Sequence, residues 1–530
     1  MSVQEYLTAI VHRRRIPMEP LDFEPDWGDK PRRHKVYAGA PRFPLRSDSA
    51  AREAASLEDA LRTDAGDERF TLGLLGDMLR DSYGLLGRRL GVQSNHDLDT
   101  LSHYRTSVLW RGTASGGGLY PAEIYWVTGG SGPMLPGVYY YSTSHHEMQR
   151  LLAGDAVGQV RAALDDPQAA ETDQFLLVSI KFWKNAFKYN SFAYHAVTMD
   201  VGTLLGTWNM WSKAHGLALR PALAFDEPAL NELLGLQTHA ESVFAVVPLP
   251  WSDQAPRSAA SGFATPSVRL VEQERSRKVI RFQQVENVHL ATVEAGSAPR
   301  PKPQELAVGA ASIPDRGRTA GVTLPEPAPL AMSVPDALRA RRSSFGRFSS
   351  HRPVPLDSLT AVLNAASVGG QFPSNIKLPD GTPALTRLCV FANHVENLPQ
   401  GSYDYDPETR RLHAISSGAY GRFLQTNYFL KNYNLEQAAA VLVVMARPEA
   451  VMSAVGPRGY RYVNAEVGAV AQVAYTACAA LGVGCGAALG FDNVSYAEEL
   501  GTAGTGEWPL LILMIGNERR DGANFDCRIG

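Results

Sequence analysis

Three short stretches of this 530-residue chain carry residue types that do chemistry. The first is WRGTASGGGLYP, residues 110–121, where Gly116, Gly117 and Gly118 precede an apolar, strand-like run. Glycines let backbone amides approach a ligand closely and form a concavity for an anion or a carbonyl. The loop is neither GxxxxGK[ST] nor GxGxxG, so it is no nucleotide fingerprint by itself. The second stretch is Arg341-Arg342-Ser343. Two guanidinium groups and a hydroxyl make a fork of donors suited to a phosphate. The third is Lys188-Tyr189, within WKNAFKYNSFAYHAV. Beside a pocket such a pair serves acid–base chemistry, because burial pulls a lysine pKa toward neutrality. Each stretch alone has a plain alternative: a turn, the solvated end of a surface helix, an exposed lysine beside a half-buried tyrosine.

An internal repeat weighs against the plain readings. Residues 194–241 and 460–507 align without a gap at a constant offset of 266. Tyr194 falls on Tyr460, Asp200 on Glu466, Gly202 on Gly468, Phe225-Asp226 on Phe491-Asp492 and Glu241 on Glu507. LPGVYYY (135–141) echoes LPQGSYDY (398–405), and SLEDALRTDAG (56–66) matches SVPDALRARRS (333–343). The chain is a tandem duplication. Its organisation reads as copy one over 1–251, a Pro-, Ala- and Ser-rich linker over 252–330, and copy two over 331–530. RSRKVIRFQQVENVHLATV inside the linker is patterned like a strand or a short helix belonging to copy one.

The copies differ where the chemistry lies. Arg341-Arg342-Ser343 of copy two stands against Asp64-Ala65-Gly66 of copy one, and an aspartate there would repel a phosphate. The glycine loop of copy one stands against GGQFPSNIKLPDGTP (369–383), which lacks the glycine run and the arginine. Lys188 and Tyr189 become Ala454 and Val455. Complementary halves survive, as expected of a site at the interface of an intramolecular pseudo-dimer.

The elements that position these residues are short apolar strands (DQFLLVSIKFW, SVFAVVPL, AAAVLVVMA, PLLILMIG) and one long helix per copy. HAVTMDVGTLLGTWNMWSKAHG and NAEVGAVAQVAYTACAALG are small or apolar on nearly every face, which marks buried central helices. The fold class is α+β: a mixed sheet flanked by helices, made twice.

Bulk properties exclude several function classes. Net charge is −3 and no long basic stretch exists, which argues against nucleic acid as a partner. No run approaches the length of a transmembrane helix, and the basic residues of MSVQEYLTAIVHRRR follow the apolar ones, the reverse of a secretory signal. Cys389, Cys478, Cys485 and Cys527 show no CxxC pairing, so they read as reduced thiols of a cytoplasmic protein, with no metal site.

Taken together the motifs resemble the flavin-dependent nitroreductase family, and within it the SagB/ThcOx-type azoline dehydrogenases. HKVYAGAPRFPL (34–45) resembles that branch's opening segment, and RGTASGGGLYP its R-x-x-PSGGxLYP loop, with Ala114 in place of proline. KYNSFAYHAVTMDVG and RGYRYVNAEVGAVAQ are similar to its KYxxRxYR…(D/E)xG helix, and GVGCGAALGFDN to its GLG…GxFDD ending. The resemblance implies FMN at the interface of the two copies, one per chain, with a dead pseudo-site. Arg341, Arg342 and Ser343 would hold its phosphate, with Arg519 or Arg520. Backbone at Leu489-Gly490 would face the isoalloxazine edge. Arg111, Ala114, Ser115, Gly116 and Gly117 would come from the other copy, and Arg347 is shifted out of register for contact. Lys188 and Tyr189 would be the catalytic pair. The implied activity is oxidation of thiazoline or oxazoline rings to azoles in a ribosomally made, thiopeptide-like peptide. Lys188 removes the ring proton, the flavin accepts hydride, and oxygen is the final acceptor. The implied partners are the heterocyclised precursor peptide and a cyclodehydratase complex. The alternatives are another FMN-dependent oxidation (Cα–Cβ dehydrogenation, or carrier-bound azolines in nonribosomal synthesis) and an inactive scaffold for a cyclodehydratase.

Overall fold

The computed structural model describes the whole chain apart from residues 47–53, 65, 92–106, 252–266, 298, 315–320, 378–382, 520–523 and 530. Ala65, Arg520 and three pieces of the linker thus lie outside the described residues.

Each copy is built around one long helix, Ala193–Ala214 in the first and Gly459–Ala480 in the second, in step with the repeat. Small and apolar residues cover nearly the whole surface of both, so both are buried almost all round. They pack on each other through equivalent glycines. A Cβ on Gly202 would overlap the carbonyl oxygen of Ala465, and a Cβ on Gly468 would overlap that of Met199. Equivalent residues also meet across this contact: Asn464 Nδ2 donates to Thr198 Oγ1 at 2.8 Å, and the rings of Tyr194 and Tyr460 stack 6.4 Å apart. Ser56 and Ser333, which cap equivalent helices, form a bridge with one another. Self-complementary contacts between equivalent positions define an isologous interface. The chain is therefore two copies of one fold in an intramolecular pseudo-dimer.

The two helices approach through backbone at these points, so the interface has no room to give. Gly468→Ala is expected to lower unfolding stability by about 3 kcal/mol, the upper part of the usual overpacking range. Urea melts of the variant against wild type check this. An exposed helical glycine would instead gain stability from the same change.

Copy one carries a six-stranded sheet in the order Arg42–Pro44, Glu147–Ala153, Gly137–Ser142, Ala122–Thr128, Gln174–Lys181, Glu241–Pro248. Copy two carries seven strands in the order Gly484–Ala488, Trp508–Gly516, Ala440–Ala446, Thr386–Ala392, Gly401–Asp406, Arg411–Ser417, Gly321–Thr323. Pairings between these strands are antiparallel, and among the described residues parallel pairing is confined to single bridges such as Ser343–Cys485. A third sheet joins the far end of copy two to copy one. Asn524–Arg528 pairs with Gly87–Gly91, which pairs with Ser107–Trp110, the strand leading into the glycine loop.

The 252–330 stretch is packed over much of its length. Gln283–Glu294 is a helix, and Gly321–Thr323 is the edge strand of the copy-two sheet. Lys181 forms ion pairs of 2.6 Å with Glu272 and Glu274, fastening the stretch to copy one. A buried cluster crosses between copies: Glu227 of copy one receives Arg458 and Arg461 of copy two at 2.8 and 2.7 Å. Their charges hold the Glu227 carboxyl down at about 2 despite its burial.

Candidate active site

The glycine loop is held from below by the central helix of its own copy. Ser115 Oγ donates to Asp200 Oδ2 at 2.7 Å, and the Gly116 amide donates to Asp200 Oδ1 at 2.8 Å. The loop is held sideways by the other copy. The Ala114 amide donates to Gln472 Oε1 at 2.8 Å, and Arg341 donates from Nε to Gly112 O (2.7 Å) and from Nη2 to Arg111 O (2.9 Å). Gly117 and Gly118 then take φ of +63° and +65°, the left-handed region that glycine enters without strain. Among the described residues nothing lies within 4 Å of where a Cβ on Gly118 would be, so the loop faces open space there.

The helix Trp183–Tyr189 brings Lys188 and Tyr189 to this loop. Asn190 ends that helix at φ +43° and ψ −130°, a backbone conformation that L residues hold only under local constraint. A Cβ on Gly117 would overlap Tyr189 Oη and lie 3.0 Å from Lys188 Nζ. Lys188 Nζ sits over the Tyr189 ring, 4.7 Å from its centroid. The pair thus rests on the glycine loop, both side chains half-buried.

The arginine–serine segment lies on the other side. Arg341 is buried, and its guanidinium joins the two copies through the loop carbonyls. Arg342 is ion-paired with Glu518. Ser343 Oγ is 3.0 Å from Tyr475 Oη, which accepts the Ala487 amide at 2.7 Å. Arg519 is exposed and follows Glu518, its amide donating to Arg347 O. Tyr428 spans the two sides, within electrostatic reach of both Tyr189 and Tyr475. Arg111 meets the segment only with its backbone. Its guanidinium is buried between the rings of Tyr83 and Tyr120, 4.3 Å from each, with Nη1 unpartnered.

Leu489-Gly490 forms the floor between them, with Gly490 O accepting the Phe429 amide at 2.8 Å. Here the structure adds a residue that the motifs do not mark. Arg13, just after the N-terminal helix Val3–His12, donates to the carbonyl oxygens of Leu489 and Phe491 and to Asn493 Oδ1. Its guanidinium lies over Phe192 (4.9 Å) and Phe429 (5.4 Å), one ring from each copy. The only sequence signal was the HRRR run, whose targets lie some 480 residues away.

The second, pseudo-equivalent place is filled. Asn375 donates to Pro221 O and Ala224 O and accepts the Leu223 amide, covering the backbone equivalent to Ala487–Gly490. Gly66, equivalent to Ser343, is pressed against Gly216 O. Tyr462 occupies the position of Ala196, and the cavity left is about 20 Å³, room for one water.

Asp200 is 6 % exposed, and burial pushes its carboxyl up to about 7. The sign of the linkage follows. A folded pKa above the unfolded 3.8 means the native state holds the proton more tightly, so stability falls as pH rises from about 4 to 7. The full shift corresponds to roughly 4 kcal/mol as an upper bound. Asp200→Asn is expected to remove this fall, which melts at pH 5 and pH 8 measure.

The nitroreductase family model matches residues 338–517, inside copy two. A nitroreductase relative from Methanocaldococcus jannaschii is 30 % identical over 204 residues, 38 % of this chain and 98 % of the relative. The chain belongs to the nitroreductase family. Among solved structures, a nitroreductase-type protein of Anabaena variabilis aligns over 98 % of this chain and 99 % of its own, with a TM-score of 0.73 and 21 % identity. The fold is therefore shared over nearly the whole of both chains. The E. coli microcin synthetase McbBCD complex, with truncated pro-MccB17 bound, aligns over 46 % of this nitroreductase-family chain at a TM-score of 0.28 and 16 % identity, too remote for an argument.

Proposed function

We propose that this chain is an FMN-dependent dehydrogenase that oxidises thiazoline or oxazoline rings to azoles in a ribosomally made peptide. The observation that carries the reading is the seating of Lys188 and Tyr189 on Gly117, at the junction of the two copies. Copy two has Ala454 and Val455 in their place, so one chemically equipped site is expected per chain.

The residues present fit FMN. Ser343, Arg342 and Arg519 offer donors to a phosphate at one end. Gly118 faces open space at the other, with Lys188 and Tyr189 against Gly117 beside it, and Leu489-Gly490 offers backbone between them. Bound there, FMN supplies a two-electron acceptor for the ring being oxidised. The protein's part is positional and acid–base. The glycine loop admits a flat ring beside Lys188, and Lys188 Nζ takes the ring proton, with Tyr189 Oη as its neighbour. Arg13 fixes the carbonyls of Leu489 and Phe491 and so fixes the floor. A heterocyclised precursor peptide is the proposed substrate, and a cyclodehydratase the proposed supplier.

The test is incubation of the flavin-loaded protein with a heterocyclised peptide in air. Loss of two hydrogens per ring by mass spectrometry, with matching peroxide, is the expected result. Loss of two hydrogens at a Cα–Cβ bond instead moves the assignment to peptide dehydrogenation. A protein that binds no FMN overturns the enzyme reading in favour of a scaffold.

A further inference from the structure

Directly after the lysine–tyrosine pair the chain turns a corner that side chains normally avoid. Asn190 has φ +43° and ψ −130°, close to the first central residue of a type II′ turn, a place glycine usually takes. Asp165 has the same φ of +43° but ψ +46°, the ordinary left-handed region that Asn and Asp enter readily. Copy two makes the equivalent corner with glycine. At the offset of 266, Asn190 falls on Gly456, and each ends the helix that precedes a central helix. Their amides make the same bond, to Ala186 O and to Met452 O. Gly456 stands at φ +79° and ψ −176°, a region essentially reserved for glycine. Among the described residues nothing lies within 4 Å of where its Cβ would be, so conformation and not space selects glycine there. The copy without the pair has the unstrained residue, and the copy with the pair keeps a strained asparagine. That corner is also clamped from outside. Tyr6 Oη donates to Ser191 O at 2.8 Å, and Ser191 Oγ donates to Glu19 O at 2.5 Å. Copy two has Pro457 at this position, which has no hydroxyl to give.

Strain of this kind persists only where the surroundings impose it, and it gathers at functional sites. What asparagine adds over glycine is its side chain. Asn190 Oδ1 accepts the Phe192 amide at 3.4 Å. The Phe192 ring meets the Tyr189 ring edge-on, with centroids 6.4 Å apart. Lys188 Nζ in turn lies over the Tyr189 ring at 4.7 Å, in its place against Gly117. Phe192 also carries the Arg13 guanidinium, 4.9 Å from its centroid. We infer that Asn190 is a positioning residue: its side chain, held in a corner made for glycine, fixes Phe192 against Tyr189 and so fixes where the Lys188 amine stands. The inference rests on the acid–base role proposed above for Lys188. Asn190 itself takes no proton and needs no contact with the peptide. In copy two Arg458 stands in the place of Phe192, and Ala454 and Val455 in the place of the pair. There is no amine to aim there, and glycine suffices.

Two variants of the flavin-loaded protein, Asn190→Gly and Asn190→Ala, separate positioning from stability. Both delete the bond to the Phe192 amide, but glycine relieves the corner and alanine keeps its strain. Melting is expected to rise by about 1 to 4 °C in Asn190→Gly and to fall in Asn190→Ala. The kcat with saturating peptide is expected to fall about ten- to a hundredfold in both, up to the loss that a misplacement of about 1 Å brings. Bound FMN should stay at the wild-type level. A rate that tracks melting in the two variants, or a melting point that falls in Asn190→Gly, overturns the proposal. Acetylation of Lys188 by acetic anhydride, followed by mass spectrometry of its peptide, reads the amine without substrate. Held on the tyrosine ring in wild type, the amine is expected to react faster in both variants, and equal rates overturn the proposal. If wild type oxidises no azoline at all, the acid–base role of Lys188 falls, while the acetylation rates still decide whether Asn190 places its amine.

Discussion

Lys188→Ala is expected to lower azoline oxidation by about 10²- to 10⁴-fold while leaving bound flavin unchanged, the range a positioned general base supplies. The separation of the two readouts follows from position. Lys188 reaches Gly117 with its terminal amine only, and no hydrogen bond from it holds the loop. The loop is held instead by Asp200, Gln472 and Arg341, none of which the variant touches. Tyr189→Phe should cost less, because the ring that supports the lysine remains and only the hydroxyl leaves. Rates measured with saturating peptide, alongside flavin content by absorbance after denaturation, check both. A Lys188→Ala protein of undiminished rate would remove the basis of the proposed mechanism.

The second large effect concerns cofactor load. Wild type is expected to carry one FMN per chain, and Arg342→Ala close to none. Arg342 is held beside Glu518, whose Oε1 is buried without a partner. Removing the guanidinium therefore deletes an attraction and exposes a carboxylate to an arriving phosphate. Loss of one charged hydrogen bond alone is worth about 1.5–3 kcal/mol, roughly ten- to a hundredfold in affinity. Repulsion from Glu518 adds to it. Glu518→Gln should act in the opposite direction and tighten FMN, with a weaker dependence on salt. A ratio near two in wild type would contradict the filling of the second place by Asn375 and Tyr462.

The duplication was legible because its second part is gapless. One offset carries the central helix, the following capped helix and both flanking strands into register, and the structure keeps that register. The complementary halves were legible for the same reason. The joining of those halves was not. Arg341 looked like a phosphate donor from its type, yet two of its nitrogens hold the carbonyls of Arg111 and Gly112 across 230 residues of chain. Asn375 reads as a residue of a loop that lacks the glycine run, whereas its amide bonds the backbone of the other copy at Leu223 and Ala224. Gly321–Thr323 sits beside a Pro-rich run and carries no strand signal of its own, since edge pairing rather than propensity defines it. Arg13 was invisible because a guanidinium aimed at main-chain carbonyls leaves no partner type to look for.

The third sheet has a consequence for synthesis. Gly87–Gly91 pairs with Asn524–Arg528, so its partner is made some 440 residues later. At 5–20 residues per second that is about 20 to 90 seconds, during which copy one can collapse while one edge of this strand stays open. The strand on its other side leads straight into the glycine loop. Until then Gly87–Gly91 can pair only with Ser107–Trp110, and a nascent chain truncated before Asn524 would keep its first core and leave that strand edge open to pairing with another chain.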